Sequence, residues 1–220
     1  MISIIVPVLN EELKICGLLS NLDKLTGDFD VVFADGGSTD STLKLIGTRW
    51  PVVRCQPGRA LQMNSAASIT SGDVLLFLHA DSILPEDACS QILNVLNDGH
   101  DAGCFRLVFD SYNPLMKLCG HLSNLRVKLR KIAFGDQGIF MRRELFDVLG
   151  GFPEIPIMED YKMSELIMAH TSIGITEGHI VTSARRFERG GILRTMWKMQ
   201  RIQRLYKKGV DPLSLAKIYR

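Results

Sequence analysis

The sequence of 220 residues contains no apolar run that approaches the ~20 residues a membrane-spanning helix requires. Its N-terminus enters a predicted strand at Ile2 without a charged leader or a cleavage site, so we expect no secretory signal peptide. Hydrophobic residues at 46% and charged residues at 23% are ordinary for a globular protein. We therefore expect a cytoplasmic protein with a single core.

Cysteine is scarce, and its spacing excludes the usual cysteine-based sites. The sequence has five cysteines, an odd number, and none of them forms a C-x-x-C pair or has a histidine at ligand spacing. We expect reduced, mostly buried thiols and no zinc site. These cysteines are Cys16, Cys55, Cys89, Cys104 and Cys119.

Glycine-rich nucleotide loops are also missing. No G-x-G-x-x-G follows a predicted strand, as a dinucleotide oxidoreductase would require. A sugar-1-phosphate nucleotidyltransferase would carry a glycine-rich, basic loop after its first strand, whereas residues 7–12 contain no glycine. The sequence therefore disfavours both classes of enzyme.

Positive charge is concentrated at the C-terminal end. Residues 185–220 hold nine more cations than anions, whereas the rest of the chain holds seven more anions than cations. Such a tail predicts an anionic partner, such as a membrane surface, a lipid phosphate or nucleic acid. Within residues 192–208, an apolar stripe and a separate basic face fit either an interfacial helix or a helix packed on the domain.

Polar residues follow three predicted strands at the point where each strand ends. The runs Ile2–Val6, Val31–Ala34 and Val74–Leu78 are apolar apart from Ser3, as is typical of strands of a parallel sheet covered by helices. Ligands bind at the carboxyl edge of such a sheet. The polar residues delivered there include Asn10, Asp35 and Asp81.

Asp35 carries the most specific of these signals. Gly36 and Gly37 let a backbone come close to a ligand, and Ser38 begins the next predicted helix. A carboxylate at this position suits a nucleotide base edge or a ribose hydroxyl. A helix cap with a tight turn is the structural alternative.

The remaining pattern predicts alternating helices and strands without an internal repeat. Helices are expected over 11–25, 40–47, 59–70, 86–96, 114–131, 144–149 and 160–169, and strands over 52–55 and 103–109. A turn with a short strand is expected over 135–143, and a last turn with a strand over 173–187.

Seven segments, in order along the chain, resemble one known family. MISIIVPVLNEE, VVFADGGSTDST and SGDVLLFLHADS look like family 2 inverting glycosyltransferases of the GT-A fold. CQPGRALQMNSAA, FGDQGIFMRR, GGFPEIPIMEDYKMS and VTSARRFERGG are similar to a compact bacterial subgroup, the selenodomain-associated transferases. The resemblance implies an α/β GT-A domain over residues 1–190, with a mostly parallel nucleotide-binding sheet flanked by helices, and a basic amphipathic helical segment over 191–220.

The resemblance implies two central roles. Asp81 corresponds to the last acid of an Asp-x-Asp-like segment and would bind a divalent metal, Mn²⁺ or Mg²⁺, on the donor diphosphate. His79 replaces the first acid of that segment, as a second ligand or as a structural residue. Asp160 corresponds to the general base that deprotonates the acceptor, and its structural alternative is an acid that favours a helix dipole.

Further residues are implied in substrate binding. Arg59 and Asn64 would contact the nucleotide, Glu159 would orient its neighbour or touch the acceptor, and Arg185 and Arg186 would grip the diphosphate. Asp136 and Gln137 have the chemistry to bind sugar hydroxyls, although a glycine-flanked turn is their alternative. The remaining candidates are Pro7, Asn10, Glu12, Asp35, Gly37, Ser38 and Ala80.

The sequence thus predicts an enzyme that moves a sugar from a nucleoside diphosphate sugar to an acceptor with inversion. UDP is the nucleotide that family analogy favours, and a lipid-linked or cell-envelope glycan is the expected kind of acceptor. We expect no nucleic acid partner and a cytoplasmic location, with the inner face of the membrane as a peripheral site. A non-catalytic nucleotide-sugar binding protein and a sugar-phosphate nucleotidyltransferase remain the alternatives.

Overall fold

The structure, a computed structural model, describes residues 1–219, so Arg220 of the predicted tail lies outside the described residues. Four parallel strands form one half of an eight-stranded sheet in the order β3-β2-β1-β4. Their apolar runs are continuous because helices cover both faces. These strands are β1 (Ile2–Val8), β2 (Phe29–Asp35), β3 (Val52–Arg54) and β4 (Val74–Phe77), and their helices are α1 (Ile15–Leu22), α2 (Thr42–Ile46) and α3 (Arg59–Ala67).

The other half of the sheet is mixed, while parallel pairs outnumber antiparallel pairs in the sheet as a whole, as predicted. It continues from β4 in the order β7-β6-β8-β5. Strand β7 runs antiparallel to β4 and β6, β8 runs parallel to β6, and β5 runs antiparallel to β8. The elements are β5 (Ser82–Ile83), α4 (Ala88–Asn97), β6 (Ala102–Phe109), β7 (Ile139–Arg142) and β8 (Ile173–Thr182).

Six more helices surround this second half. Asn113 caps α5 by accepting a hydrogen bond from the backbone N–H of Leu115, and Pro114 occupies the first helical position. These helices are α5 (Pro114–Arg130), α6 (Arg143–Leu149), α7 (Glu159–His170), α8 (Arg185–Gly190), α9 (Ile192–Lys207) and α10 (Pro212–Tyr219).

Two predicted boundaries are wrong. Helix α1 begins at Ile15 rather than at residue 11, because the backbone N–H of Glu11 donates to Thr42 Oγ1 at 2.8 Å and residues 12–14 form turns. The last strand ends at Thr182 rather than continuing to residue 187, and Arg185 begins α8. The backbone N–H of Ala184 donates to Asp110 Oδ1 at 2.6 Å, which turns the chain away from the sheet.

The core lies on both sides of the sheet, with a third apolar cluster beneath the C-terminal helices. Ile4 and Val6 of β1 pack on one face, while Ile5 packs on the other, as the two-residue period of a strand requires. Ile202 of α9 is buried in the third cluster with Leu215 of α10. The predicted apolar stripe of residues 192–206 is thus packed on the domain. Within residues 1–219, no helix combines the length and apolar character needed to cross a bilayer.

Candidate active site

A cavity of about 770 Å³ opens at the carboxyl ends of β1 and β4. The beginning of α7, helix α8 and helix α9 form its other walls. Nine of the residues predicted from the sequence line this cavity, so the structure brings the two central acids together with several cations. They are Pro7, Arg59, Ala80, Asp81, Asp136, Glu159, Asp160, Arg185 and Arg186.

Five other predicted residues lie outside the cavity lining: Asp35 is the last residue of β2, and the other four lie on the loops after β1 and β2. Asn10 Oδ1 accepts from the backbone N–H of Thr39 at 2.9 Å, and a carboxylate oxygen of Glu12 accepts from that of Ser41 at 2.9 Å. These bonds tie the two loops to each other, and contact of the loops with a nucleotide stays a prediction. The five residues are Asn10, Glu12, Asp35, Gly37 and Ser38.

Two further predicted residues bond other parts of the chain, and their contact with a substrate stays a prediction. The Asn64 amide bonds both the N–H and the carbonyl of Phe152, at 2.8 and 2.9 Å, and so fixes the Gly-Gly-Phe-Pro segment. Gln137 is fully buried and accepts from Arg126 Nη2 at 2.7 Å. A polar residue near a glycine turn has the same sequence pattern whether it faces a ligand or the interior.

Arg185 joins two acids at the mouth of the cavity. Its Nη2 atom lies 2.8 Å from Glu11 Oε2 and 3.5 Å from Asp81 Oδ2. Burial raises the pKa of Asp81, and the Arg185 guanidinium opposes that change. The sequence reading selected Glu12 rather than Glu11, since the partner of Glu11 lies 174 positions away in the chain.

The described residues around Asp81 can coordinate a divalent ion only together with ligands that the protein does not supply. Among residues 1–219, no group of three or more His, Cys, Asp or Glu side chains could hold a metal ion. The carboxylate of Asp81 fits such an ion when phosphate oxygens and water complete the shell. The Nε2 atom of His79 is buried, faces Gly135 and has no hydrogen-bond partner within the described chain, and metal binding by this histidine stays a prediction.

The same cavity is lined by the second central acid, Asp160. Asp160 Oδ2 accepts from the backbone N–H of Gly135 at 3.0 Å, at the beginning of α7. Its neighbour Glu159 is buried and accepts from Arg59 Nη1 at 2.9 Å. Burial, and then the charge of Asp160, raise the pKa of Glu159. Arg59 therefore links the beginning of α3 to the beginning of α7, and of the two neighbouring acids only Glu159 has an ion-pair partner in the described chain.

Asp136 is a third acid in the cavity lining, and its surroundings destabilise the ionised form of its carboxylate. Burial raises the pKa of Asp136 to about 6, Arg126 opposes this rise, and Asp160 adds to it. One of its carboxylate oxygens is buried without a hydrogen-bond partner in residues 1–219. Part of the population therefore carries a proton near neutral pH, which gives this side chain both a donor and an acceptor.

Part of the cavity lining is apolar. Its apolar residues include Phe134, Ile157, Met158, Met199 and Ile202. In the same cavity, the Arg186 guanidinium lies 3.8 Å from the ring centre of Tyr219 and donates to the Tyr219 hydroxyl. The cavity thus offers contacts both to a polar, anionic molecule and to an apolar group. Sequence reasoning missed Tyr219, because it reaches the cavity only through the packing of α9 and α10.

Comparison with known proteins relates this cavity to sugar transfer. The family model described as glycosyl transferase family 2 matches residues 3–150. Over 218 residues the chain is 28% identical to the PGL/p-HBAD biosynthesis glycosyltransferase of Mycobacterium tuberculosis, covering 93% of this chain and 84% of that protein.

Two solved structures share the fold. The mannosyltransferase PcManGT from Pyrobaculum calidifontis, in complex with GDP-Man and Mn²⁺, has a TM-score of 0.71 at 22% identity, covering 99% of this chain and 67% of that one. S. aureus TarS 1–349 in complex with UDP-GlcNAc has a TM-score of 0.67 at 18% identity, covering 83% of this chain and 58% of that one. The chain spans less than two thirds of that TarS chain. The likeness confirms the predicted α/β GT-A fold.

Proposed function

The chain belongs to glycosyl transferase family 2, and we propose that this glycosyltransferase takes its sugar from a nucleoside diphosphate donor, with inversion. The observation that carries the proposal is one cavity that is lined by Asp81 and Arg185 and also by Asp160. A group that could stabilise a leaving diphosphate and a group that could accept a proton therefore line the same cavity. UDP is the nucleotide we propose, supported by the UDP-GlcNAc complex of TarS, although PcManGT holds GDP-Man.

The diphosphate is proposed to lie between Asp81 and the two arginines of α8. Arg185 pairs with Glu11 and Asp81, and these contacts hold its guanidinium in the cavity lining. A planar guanidinium binds phosphate oxygens in a bidentate manner. Asp81 would hold a Mn²⁺ or Mg²⁺ ion, which supplies charge neutralisation of the leaving diphosphate when it is bound.

Asp160 is the proposed general base. The acceptor hydroxyl gives its proton to an Asp160 carboxylate oxygen while its own oxygen bonds to the anomeric carbon of the sugar. The bond from that carbon to the diphosphate breaks on the opposite face, which inverts the configuration. The N–H groups of Gly135 and Tyr161, at 3.0 and 2.7 Å from the two carboxylate oxygens, hold this carboxylate in place.

The acceptor is proposed to be a glycan or lipid-linked molecule with an apolar part. The wall formed by Phe134, Ile157, Met158, Met199 and Ile202 offers apolar contact beside Asp160. The mycobacterial relative is named for PGL/p-HBAD biosynthesis, which leaves the acceptor of this chain open. We propose that the enzyme works in the cytoplasm at the inner face of the membrane.

A panel of nucleotide sugars with and without Mn²⁺ tests the donor assignment. Ligands that bind the native state raise the melting temperature, so a UDP-sugar with Mn²⁺ should raise it more than UDP-sugar alone. Release of UDP on incubation distinguishes the enzyme from a non-catalytic binding protein. Pyrophosphate release from UTP and a sugar 1-phosphate would instead indicate a nucleotidyltransferase and contradict the proposal.

A further inference from the structure

Helix α5 carries a stripe of leucines that the fold leaves exposed. Their spacing of three and four residues places them within about 80° of arc and along about 21 Å of the helix. Between 37% and 71% of each side chain is accessible to solvent. The five leucines are Leu115, Leu118, Leu122, Leu125 and Leu129.

The core does not need this stripe, because α5 already buries its opposite face. Met116, Gly120 and Val127 are buried there, and Asn124 bonds the backbone N–H and carbonyl of Leu107 at 2.7 and 3.0 Å. A surface helix with one buried face is usually polar on the other. A contiguous exposed apolar stripe marks an interaction surface instead.

The charges beside the stripe identify the kind of partner. Lys117, Lys128 and Arg130 are exposed on α5, and residues 111–135 contain no Asp or Glu. Helix α9 packs against α5 and exposes Trp197 and Arg201. A second copy of this helix would bring like charges together, whereas an anionic lipid surface complements them and accepts leucine and tryptophan side chains.

We propose that α5 docks this protein on an anionic lipid bilayer through its leucine stripe. The apolar stripe that the sequence pattern placed on α9 is packed on the domain through Met199 and Ile202, and only Leu193 and Trp197 at its border are exposed. The leucines enter the interface between headgroups and acyl chains, while Lys117, Lys128 and Arg130 contact lipid phosphates. The proposal specifies the surface used in the membrane location proposed above, and it does not depend on which donor the enzyme uses.

Vesicle binding of the full chain tests this proposal. The wild type should sediment with vesicles of phosphatidylcholine containing about 30% phosphatidylglycerol and should bind vesicles of phosphatidylcholine alone at least about tenfold more weakly. A triple variant, Leu118→Asn, Leu122→Asn and Leu125→Asn, should lower binding to the anionic vesicles about tenfold or more, because the apolar contact is lost. The matched control is Leu93→Asn on α4, a leucine of similar exposure, which should bind as the wild type does.

Three results would overturn the docking surface. These are absence of wild-type binding to anionic vesicles, unchanged binding by the triple variant, and a concentration-dependent dimer in sedimentation equilibrium that the triple variant abolishes. The last result would assign the stripe to a second copy. UDP affinity measured on the same samples separates the two proposals, since the triple variant should keep it whatever the vesicles show.

Discussion

The backbone N–H of Gly135 donates to Asp160 Oδ2 at 3.0 Å, across 25 positions of the sequence. This bond joins the turn before β7 to the first turn of α7. A Cβ atom added at Gly135 would stand 2.5 Å from His79 Nε2, so the histidine ring leaves no room for a side chain there. The His79 ring thus restricts position 135 to glycine, and the N–H of that glycine positions the acid that we propose as the base.

Gly135→Ala should displace this turn and lower the rate of sugar transfer, while the protein remains folded. The matched control is Gly17→Ala in α1, where an added Cβ meets nothing within 4 Å. That change should leave transfer unaffected and stabilise the protein by about 0.5–1 kcal/mol, because alanine is a better helix former than glycine. Donor hydrolysis rates and urea unfolding of both variants check this. Equal activity of the two variants would contradict the role of the Gly135 turn.

Asp81→Asn should remove the part of the UDP affinity that depends on Mn²⁺. The amide keeps the size of the side chain but loses the charge that holds a divalent ion. Calorimetric titration of UDP with and without Mn²⁺ measures the difference. The control is Asp98→Asn, an exposed acid at the end of α4 with the same change in charge. If Asp81→Asn retained the full metal-dependent affinity, the metal would have to bind elsewhere.

Asp136 should make the stability of the protein fall as the pH rises. Burial raises its pKa from the usual 3.8 to about 6, so between these values the folded protein holds more protons than the unfolded chain. The free energy of unfolding therefore decreases with pH in this window. The stability of the wild type relative to Asp136→Asn should fall by up to about 3 kcal/mol between pH 4 and pH 7. Urea unfolding at several pH values measures this, and a flat difference would contradict it.

The strand ends could be predicted because their signal is local. The apolar runs of β1, β2 and β4, each followed by polar residues, correctly placed the loops after these strands along one sheet edge. A ligand site at such an edge follows from the topology of parallel strands. The seven motifs, in their order along the chain, also predicted the family.

The errors concern contacts between distant parts of the chain. The role of Glu11 depends on Arg185, and the burial of Gln137 depends on Arg126, which local patterns do not show. The turn at Ala184 depends on Asp110, so the strand was predicted to continue. Helix α5 is apolar on two faces, and only the packing of the fold decides which of them is buried.

The proposed general base can be tested by the release of UDP from a UDP-sugar, with water as the acceptor. Asp160→Asn keeps the hydrogen bonds but cannot accept a proton, so it should lower the rate about 10²–10⁴-fold while UDP affinity stays nearly unchanged. Glu159→Gln is the companion variant. It should lower the rate of UDP release less than Asp160→Asn does, because Glu159 is paired with Arg59. The rate of UDP release tests the assignment of Asp160 as the general base most directly. An Asp160→Asn protein that releases UDP as fast as the wild type would contradict it.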